Sequence, residues 1–137
     1  MKESDVQVIH KPWGREVLLY EPNQEEIDLG NGYCYKRIYI NAGHRTSYQF
    51  HREKKETNYI VSGICEVWLE NGLGVIEKKV MKQDEFFTVE PGKKHRVIAL
   101  TDLVLQEVST SHIHDIVRIE DDTNRKDGKI EGEWKNG

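Results

Sequence analysis

Short runs of hydrophobic residues recur along the chain, separated by dipeptides that favour turns. The runs are rich in Val, Ile, Tyr and Phe and cover residues 33–40, 57–61, 64–70, 74–80, 85–89, 95–100 and 104–108. Turn dipeptides such as Asn31-Gly32, Ser62-Gly63 and Pro91-Gly92 lie between them. Strands of this length, spaced about ten residues apart, are typical of an all-β sandwich or barrel. No segment carries a clear 3.6-residue apolar period, so we expect few and short helices.

The alternation of side chains within residues 33–40 places one lysine among apolar neighbours. Lys36, Ile38 and Ile40 leave the same face of this strand, because successive side chains of a strand point to opposite sides. If the two isoleucines point into the interior, Lys36 does as well. A lysine in a protein interior is costly unless it meets an opposite charge or a ligand. Lys36 is therefore a candidate functional residue.

Composition and charge are those of a soluble globular protein. The 137 residues are 36% hydrophobic and 32% charged, with a net charge of −4. We expect a single domain over residues 1–137, in which residues 120–137 form a polar C-terminal arm. The acidic balance argues against nucleic acid and anionic membranes as partners. No apolar run approaches the roughly 20 residues that a membrane-spanning helix needs.

The two cysteines and the N-terminal residues bear on the cellular compartment. Cys34 and Cys65 lie in strand-like runs with no pairing pattern, so we expect both to be reduced and buried. The first ten residues are polar and mixed in charge, without the apolar core that is typical of a signal peptide. Both observations favour a cytoplasmic protein.

Four residues have the spacing and chemistry of a metal site. Gln49 and His51 are two residues apart on one strand, so their side chains leave the same face. Glu56 begins the next strand and can return to the same point, while His95 follows the turn at Pro91-Gly92. An amide oxygen, two imidazoles and a carboxylate form a mixed nitrogen and oxygen site for a divalent ion. The pattern therefore predicts that Gln49, His51, Glu56 and His95 bind one metal ion.

This pattern resembles the two motifs of the cupin superfamily. The resemblance implies a double-stranded β-helix, or jelly-roll barrel, with few short helices. The first motif usually has histidine where this chain has Gln49. The second motif keeps Gly92 and His95 and departs from the usual residues at Asp84, Glu90 and Ala99.

A narrower resemblance covers most of the chain. It is similar to the cupin domain of type II mannose-6-phosphate isomerases over residues 11–14, 36–38, 49–56, 61–63, 91–96, 107–108 and 115–121. The last stretch is the most specific. Glutamine is the usual first ligand in these isomerases, so Gln49 supports the match. Many of them carry a guanylyltransferase domain before the cupin, and this chain resembles the isomerase part alone.

The resemblance implies a metal-dependent isomerase of sugar phosphates or nucleotide-linked sugars, in sugar-nucleotide or surface-polysaccharide metabolism. Zinc is the metal that the family uses, and Mn, Fe, Co or Ni would also suit these ligands. Arg118 and Arg125 match the family's candidates for the substrate phosphate. Arg96 is a third candidate and ranks below them, because strand alternation turns it away from His95. Each arginine can instead be a solvated surface charge. The family also implies a homodimer.

Aldose–ketose isomerisation needs a base at the carbon and a donor at the carbonyl oxygen. Leu105, Glu107 and Ser109 share one face of a late strand, and a partly buried carboxylate has the raised pKa that suits a base. Glu107 is the first candidate for this role; the alternative is a surface glutamate or an ion pair with Lys36. Lys36 is the candidate donor to the substrate oxygen, and Arg118 is the third catalytic candidate.

Other functions remain open on this fold. The isomerase pattern is altered at residues 109–111 and 122–125, which favours a non-catalytic metal-containing cupin that binds or senses sugars. An epimerase would need a histidine–aspartate pair, for which His112, His114 and Asp115 are the candidates. An Fe(II) dioxygenase usually has more histidine ligands, so Gln49 argues against it. Fold alone does not decide between these activities.

Overall fold

Two antiparallel β-sheets face each other in the structure, a computed structural model that describes residues 1–136. The first sheet has the strand order β12-β1-β2-β3-β10-β5-β8, and the second has the order β11-β4-β9-β6-β7. The strands are β1 (Gln7–Lys11), β2 (Gly14–Tyr20), β3 (Cys34–Ile40), β4 (Tyr48–Phe50), β5 (Glu56–Ser62), β6 (Ile64–Glu70), β7 (Ile76–Lys82), β8 (Phe86–Val89), β9 (His95–Ala99), β10 (Leu103–Ser109), β11 (Val117–Glu120) and β12 (Trp134–Asn136).

Helical structure is sparse in the described residues. It consists of α1 (Gln24–Leu29) and two 3-10 turns, Glu3–Asp5 and Glu131–Glu133. Asn23 caps the start of α1 by accepting a hydrogen bond from the backbone of Glu26, and Gly30 ends it in the left-handed conformation that glycine adopts without strain. The prediction of few and short helices is confirmed. None of the helices in residues 1–136 is long and apolar enough to cross a membrane.

The predicted all-β fold is confirmed as a jelly-roll sandwich. Each of the seven hydrophobic runs corresponds to a strand; these strands are β3 and the six from β5 to β10. The strand predicted to carry Gln49 and His51 is β4, which ends one residue before His51. The other strands were not predicted; among them, β11 has four residues, and β12 has three and pairs with β1 through Ile9 and Trp134. Strands this short carry too few positions for the alternation of apolar and polar residues to be visible.

The interior changes from apolar to charged along the strands of the first sheet. In the register of the sheet, Leu105 on β10 lies between Ile38 on β3 and Ile60 on β5. Two residues further along β10, Glu107 lies between Lys36 and Asn58. Both rows point inward and are buried. Lys36 therefore shares the inner face with Ile38, as predicted, and the charged row forms one end of the barrel interior.

Both cysteines are free thiols that lie in the core. Cys34 packs in a small cluster with Ile9, Leu18 and Ile113. Cys65 packs in the main core beside Val67. Each thiol is fully shielded from solvent.

The C-terminal segment is polar and largely exposed, but several of its side chains turn inward against the rest of the chain. Arg125 binds Asp121 through two nitrogens, at 2.9 and 3.1 Å, and reaches Glu133 at 3.3 Å. Glu133 in turn lies 3.2 Å from Lys11 on β1. The ion pairs and the pairing of β12 with β1 thus hold the C-terminal segment against the rest of the chain.

Replacing Asp121 with asparagine is expected to remove the contribution to folding stability that the ionised Asp121 carboxylate makes and that acid abolishes. Burial alone would raise the pKa of Asp121, but hydrogen bonds from Arg125 and Thr123 lower this pKa to about 2. Because the unfolded chain has a pKa near 3.8, the ionised carboxylate stabilises the fold above about pH 4 and loses this effect as the pH falls towards 2. Between pH 5 and pH 2, the free energy of unfolding of wild type should therefore fall by about 2 kcal/mol more than that of the variant, as measured by urea unfolding.

Asp122→Asn is the matched control for this experiment. Asp122 pairs with Arg45 at 2.8 Å, but its side chain is 54% exposed. An exposed pair contributes little, so this variant should follow wild type within about 0.5 kcal/mol across the same pH range. A free-energy difference between wild type and Asp121→Asn that does not change with pH would contradict the role assigned to Asp121.

Candidate metal centre

Three buried side chains converge where the two sheets meet. His51 follows β4, Glu56 begins β5 and His95 begins β9. Oε1 of Glu56 lies 2.8 Å from Nε2 of His51 and 3.3 Å from Nε2 of His95. Their potential ligand atoms all lie within 4.8 Å of one another. The structure therefore brings together three of the four residues that the spacing predicted, in an arrangement that could hold a metal ion.

Backbone carbonyls orient both imidazoles towards this point. Nδ1 of His51 donates to the carbonyl of Asp115 at 2.5 Å, and Nδ1 of His95 donates to the carbonyl of Lys93 at 3.0 Å. Because Nδ1 carries the proton in each neutral ring, Nε2 has a free lone pair that points at Glu56. Metal-binding histidines commonly have such a second hydrogen bond, which fixes the tautomer and the ring.

The charges in this cluster fit a bound cation. Burial lowers the pKa of His51, against the opposing effect of the neighbouring Glu56, so the neutral ring is favoured. Burial alone would raise the pKa of Glu56, but Lys54, Glu107 and the two histidines together lower it. A carboxylate oxygen and two imidazole lone pairs repel one another unless a positive charge lies between them. A divalent ion meets this need, and nitrogen and oxygen ligands suit zinc and its neighbours.

Gln49 lies beside the cluster with its amide nitrogen towards the histidine. Its Nε2 is 3.4 Å from Nε2 of His95, and its Oε1 accepts a hydrogen bond from Ser47 at 2.5 Å. The amide must rotate for Oε1 to become a ligand. Ser47 permits both orientations, because a hydroxyl can donate to Oε1 or accept from Nε2. Gln49 is thus placed for the predicted role, although the oxygen does not face the cluster in this structure.

A network of buried charges adjoins the three residues. Nζ of Lys54 lies 3.3 Å from Oε2 of Glu107, and Nζ of Lys36 lies 3.9 Å from the same oxygen. Lys36 also binds Glu16 at 3.1 Å. Burial would lower the pKa of Lys36, but the attraction of Glu16 and Glu107 raises it, so the lysine is a cation. Glu107 is therefore not a surface glutamate: its carboxyl is buried and lies near Lys36, a position that is compatible with either a base or an ion pair.

Glu107 combines burial with a neighbouring carboxylate. Burial raises its pKa to about 8, with a further contribution from the charge of Glu56, against the opposing effect of Lys54 and Lys36. The pKa of Glu107 rises while that of Glu56 falls, because the two buried carboxyl groups interact, and this favours the proton on Glu107. A carboxyl group with a pKa near neutrality can both accept and donate a proton at physiological pH, as general acid–base catalysis requires.

A cavity of about 60 Å³ lies against the cluster. Its walls include Glu56, His95, Glu107, Arg118 and Arg125, together with apolar side chains from the main core. Arg118 and Arg125 therefore line the same cavity as Glu56 and His95 of the metal-binding candidates. A second cavity of about 190 Å³ shares Trp13 and Arg125 with the first as wall residues. Trp13 and Arg125 thus line both cavities, of which the first is called the inner cavity here and the second the outer cavity.

Of the predicted residues, His51, Lys36 and Arg96 do not line the inner cavity. Lys36 lies behind it, paired with Glu16 and Glu107, so it can position the carboxyl groups without touching a ligand. Arg96 is a correction: strand alternation turns it outward, where Nε donates to the carbonyl of Thr46 at 2.9 Å. Arg96 is buried there, and we withdraw it as a phosphate candidate.

The other two arginines already have protein partners. Arg118 donates through Nη1 to the carbonyls of Lys126 and Gly128, at 3.0 Å for Gly128, and its Nε has no hydrogen-bond partner among the described residues. Arg125 is paired with Asp121 and Glu133. Arg118 therefore has a donor to spare, whereas Arg125 would have to exchange a carboxylate for a ligand.

Several roles in the site were not predicted from the sequence. The side chain of Asp115 accepts hydrogen bonds from the backbone nitrogens of residues 52–54, which fixes the turn between His51 and Glu56. Lys11 and Glu16 line the inner cavity from β1 and β2, which the sequence did not predict. Of these residues, only Lys54 could have been found from the sequence, because Lys54, Glu56 and Asn58 are two residues apart and therefore share one face of a strand.

Comparison with known proteins identifies the family. Residues 37–114 match the sequence profile described as the cupin domain, which is more than half of the chain. The chain therefore belongs to the cupin family. The double-sheet fold and the position of the histidine and glutamate cluster within it agree with this membership.

One curated relative comes from Vibrio cholerae and is named "Putative mannose-1-phosphate guanylyltransferase". It is 27% identical over 117 residues, which cover 82% of this chain and 22% of the relative. The chain thus spans about a fifth of the length of the curated relative that it matches.

Solved structures with the same fold include KdgF from a Halomonas species, an oxalate decarboxylase from Lactobacillus farciminis and an RmlC-like cupin from Shewanella frigidimarina. Their TM-scores are 0.58, 0.66 and 0.61, at sequence identities of 16%, 14% and 18%. The alignments cover 72%, 84% and 81% of this chain, and 78%, 34% and 88% of the respective structures. Likeness at such low identity shows the fold alone.

Proposed function

We propose that this cupin is a metal-dependent isomerase that interconverts aldose and ketose sugar phosphates, with mannose 6-phosphate and fructose 6-phosphate as the model pair. One observation carries the proposal: a single cavity is lined by Glu56 and His95 of the metal-binding candidates, by the buried carboxyl of Glu107, and by Arg118 and Arg125. These groups correspond to the three requirements of the reaction, which are a polarised carbonyl, a base and an anchor for phosphate.

Each residue of the site has a separate role in the proposed reaction. A divalent ion held by His51, Glu56 and His95 would polarise the carbonyl oxygen of the sugar. Glu107 takes a proton from the hydroxyl-bearing carbon beside the carbonyl, which leaves an enediolate. The hydroxyl proton moves to the former carbonyl oxygen, and Glu107 returns its proton to the former carbonyl carbon. Lys54 and Lys36 hold the Glu107 carboxyl in place through charge, at 3.3 and 3.9 Å.

The phosphate end of the substrate is assigned to Arg118 and Arg125. Guanidinium groups match phosphate oxygens with two parallel hydrogen bonds. Ligand pockets usually measure on the order of 300–1,000 Å³, so the inner cavity of about 60 Å³ is too small for a whole sugar phosphate. The outer cavity of about 190 Å³ meets it at Trp13 and Arg125. The substrate would therefore extend across this boundary, with its carbonyl inside and its phosphate beside Arg125.

The name of the Vibrio cholerae relative supports a role in mannose phosphate chemistry. The resemblance to isomerase cupin domains, which includes Lys11-Pro12-Trp13-Gly14 and residues 115–121, points in the same direction. Because the chain spans 22% of that relative, the name supports the class of substrate and does not assign the reaction. Zinc is the metal that we propose, on the basis of the ligand chemistry.

The test is an isomerase assay with controlled metal content. The purified protein is stripped with a chelator, reloaded with zinc or manganese, and incubated with mannose 6-phosphate or fructose 6-phosphate. We expect interconversion with a loaded metal and none after stripping. Tight binding of the sugars without turnover would instead support a sugar-binding cupin. Oxygen uptake with iron would support a dioxygenase.

A further inference from the structure

Asn58 is a buried polar residue to which the proposed reaction gives no role. It lies on β5 two residues after Glu56 and points into the barrel, with 4% of its surface exposed. In the sheet register it is flanked by Glu107 on β10 and Phe87 on β8. Asn58 also lines the inner cavity, but not the outer one.

The two ends of the Asn58 amide have different surroundings. Nδ2 donates to Oε2 of Glu56 at 3.2 Å, whereas Oδ1 is buried and has no hydrogen-bond partner among the described residues. Rotating the amide would place Oδ1 against the Glu56 carboxylate, where two acceptors repel each other. The orientation is therefore fixed by Glu56. A buried acceptor without a donor costs free energy, and such groups need a specific explanation.

The neighbouring side chains do not supply this donor. Phe87 has no polar hydrogen, and neither Glu107 nor the two lysines, Lys54 and Lys36, make a hydrogen bond to Oδ1. The donor expected at Oδ1 therefore comes from a molecule in the inner cavity. Lys11, Arg118 and Arg125 line the same cavity and favour an anionic ligand. A phosphate or carboxylate is mostly deprotonated at neutral pH, so the hydrogen that Asn58 accepts belongs to a hydroxyl group.

We propose that Oδ1 of Asn58 accepts a hydrogen bond from a hydroxyl of the substrate next to the reacting carbonyl, and that Asn58 is thereby a specificity-determining residue. This inference rests on the proposed function for the identity of the ligand. The position follows from the contact with Glu56: Nδ2 binds one oxygen of that carboxylate, and the other oxygen faces the histidines. We therefore assign this hydrogen bond to the hydroxyl at C2 or C3 of a hexose phosphate, because these positions lie beside the carbonyl carbon of the aldose or of the ketose.

The test compares the binding of mannose 6-phosphate with that of analogues that lack the hydroxyl at C2 or at C3. Dissociation constants are measured by calorimetry on the zinc-loaded wild type and on Asn58→Leu. Wild type should bind at least one analogue about tenfold or more weakly than mannose 6-phosphate, because a site built for a hydroxyl rejects a ligand without it. Asn58→Leu should bind mannose 6-phosphate about tenfold more weakly and discriminate against that analogue less than about twofold.

Two further variants keep the result interpretable. Asn58→Ser removes the acceptor at the Oδ1 position without the bulk of leucine, so it should lose discrimination even if leucine strains the core. Thr57→Val changes the adjacent side chain, which points outward and bonds Thr88 at 2.9 Å, and should bind like wild type. Metal content and thermal unfolding establish that each variant is folded and loaded.

The outcomes separate the two proposals. If Asn58→Leu and Asn58→Ser discriminate against the analogues as wild type does, the assignment of Asn58 is overturned while the isomerase proposal stands. A loss of zinc from Asn58→Ser comparable to that from a ligand variant would also overturn it, since Asn58 would then act through the metal. Wild type that binds mannose 6-phosphate without turnover, and loses discrimination in the variants, supports Asn58 and overturns the isomerase. Wild type that binds none of the sugars overturns both.

Discussion

Replacing His51 with alanine is expected to abolish metal binding and, with it, any interconversion of sugar phosphates. His51 supplies an Nε2 atom 2.8 Å from Glu56, and its ring is fixed by the carbonyl of Asp115. Changes to residues that only support a metal ligand typically weaken metal binding 10- to 100-fold, so loss of a ligand itself should cost more than about 100-fold. The measurement is zinc stoichiometry and affinity on chelator-stripped protein, followed by the isomerase assay.

His10→Ala is the control for this variant. His10 is an exposed histidine on β1, away from the cluster, and its loss should leave metal binding unchanged. Thermal unfolding of stripped protein separates loss of the site from loss of the fold. Zinc affinity in His51→Ala within tenfold of wild type would remove His51 from the ligand set and, with it, the metal centre as described.

Replacing Glu107 with glutamine is expected to lower the turnover rate by about 10²- to 10⁴-fold while zinc remains bound, because this is the usual contribution of a general base. Glutamine preserves the size of the side chain and its capacity for hydrogen bonding, but it cannot take a proton from carbon. The variant also deprives Lys54 and Lys36 of a charged partner, so the assay is done well below the unfolding temperature of the variant.

Glu16→Gln tests whether the effect belongs to Glu107 or to any buried carboxylate of the network. Glu16 lines the same cavity and binds Lys36 at 3.1 Å. Burial would raise its pKa, but Lys36 and Lys11 lower it to about 2, which makes it a weak base compared with Glu107. We expect a smaller loss of turnover in Glu16→Gln. A larger loss than in Glu107→Gln would transfer the role of base to Glu16.

The metal-binding candidates could be predicted because their spacing follows the geometry of strands. Gln49 and His51 lie on one face, and Glu56 returns on the next strand; a separate motif places His95. The burial of Lys36 followed in the same way from its alternation with Ile38. These inferences needed only the period of two along a strand, which sequence displays directly.

The partners of these residues could not be predicted. That Lys36 meets Glu16 as well as Glu107 depends on the register of β2, β3 and β10, which no local pattern specifies. Arg118 and Arg125 were proposed from a resemblance, and the sequence could not show that Asp121 and Glu133 already bind Arg125. Pairing between strands distant in sequence depends on how the whole chain packs, because each pair is stabilised by the burial of many other residues.

The sequence by itself determined the all-β fold, the family and the three buried ligand candidates His51, Glu56 and His95, because strand alternation and motif spacing are local properties of the chain. Only the tertiary structure decided the chemistry around them. It shows that Arg96 does not line the cavity and that Lys36 lies behind the cavity, beside Glu107. It also shows how the amide of Gln49 is oriented and that the Asn58 oxygen has no hydrogen-bond partner among the described residues. The physical reason is that burial, charge pairing and hydrogen bonding in the barrel join residues from distant strands, whose mutual positions are set by the packing of the two sheets.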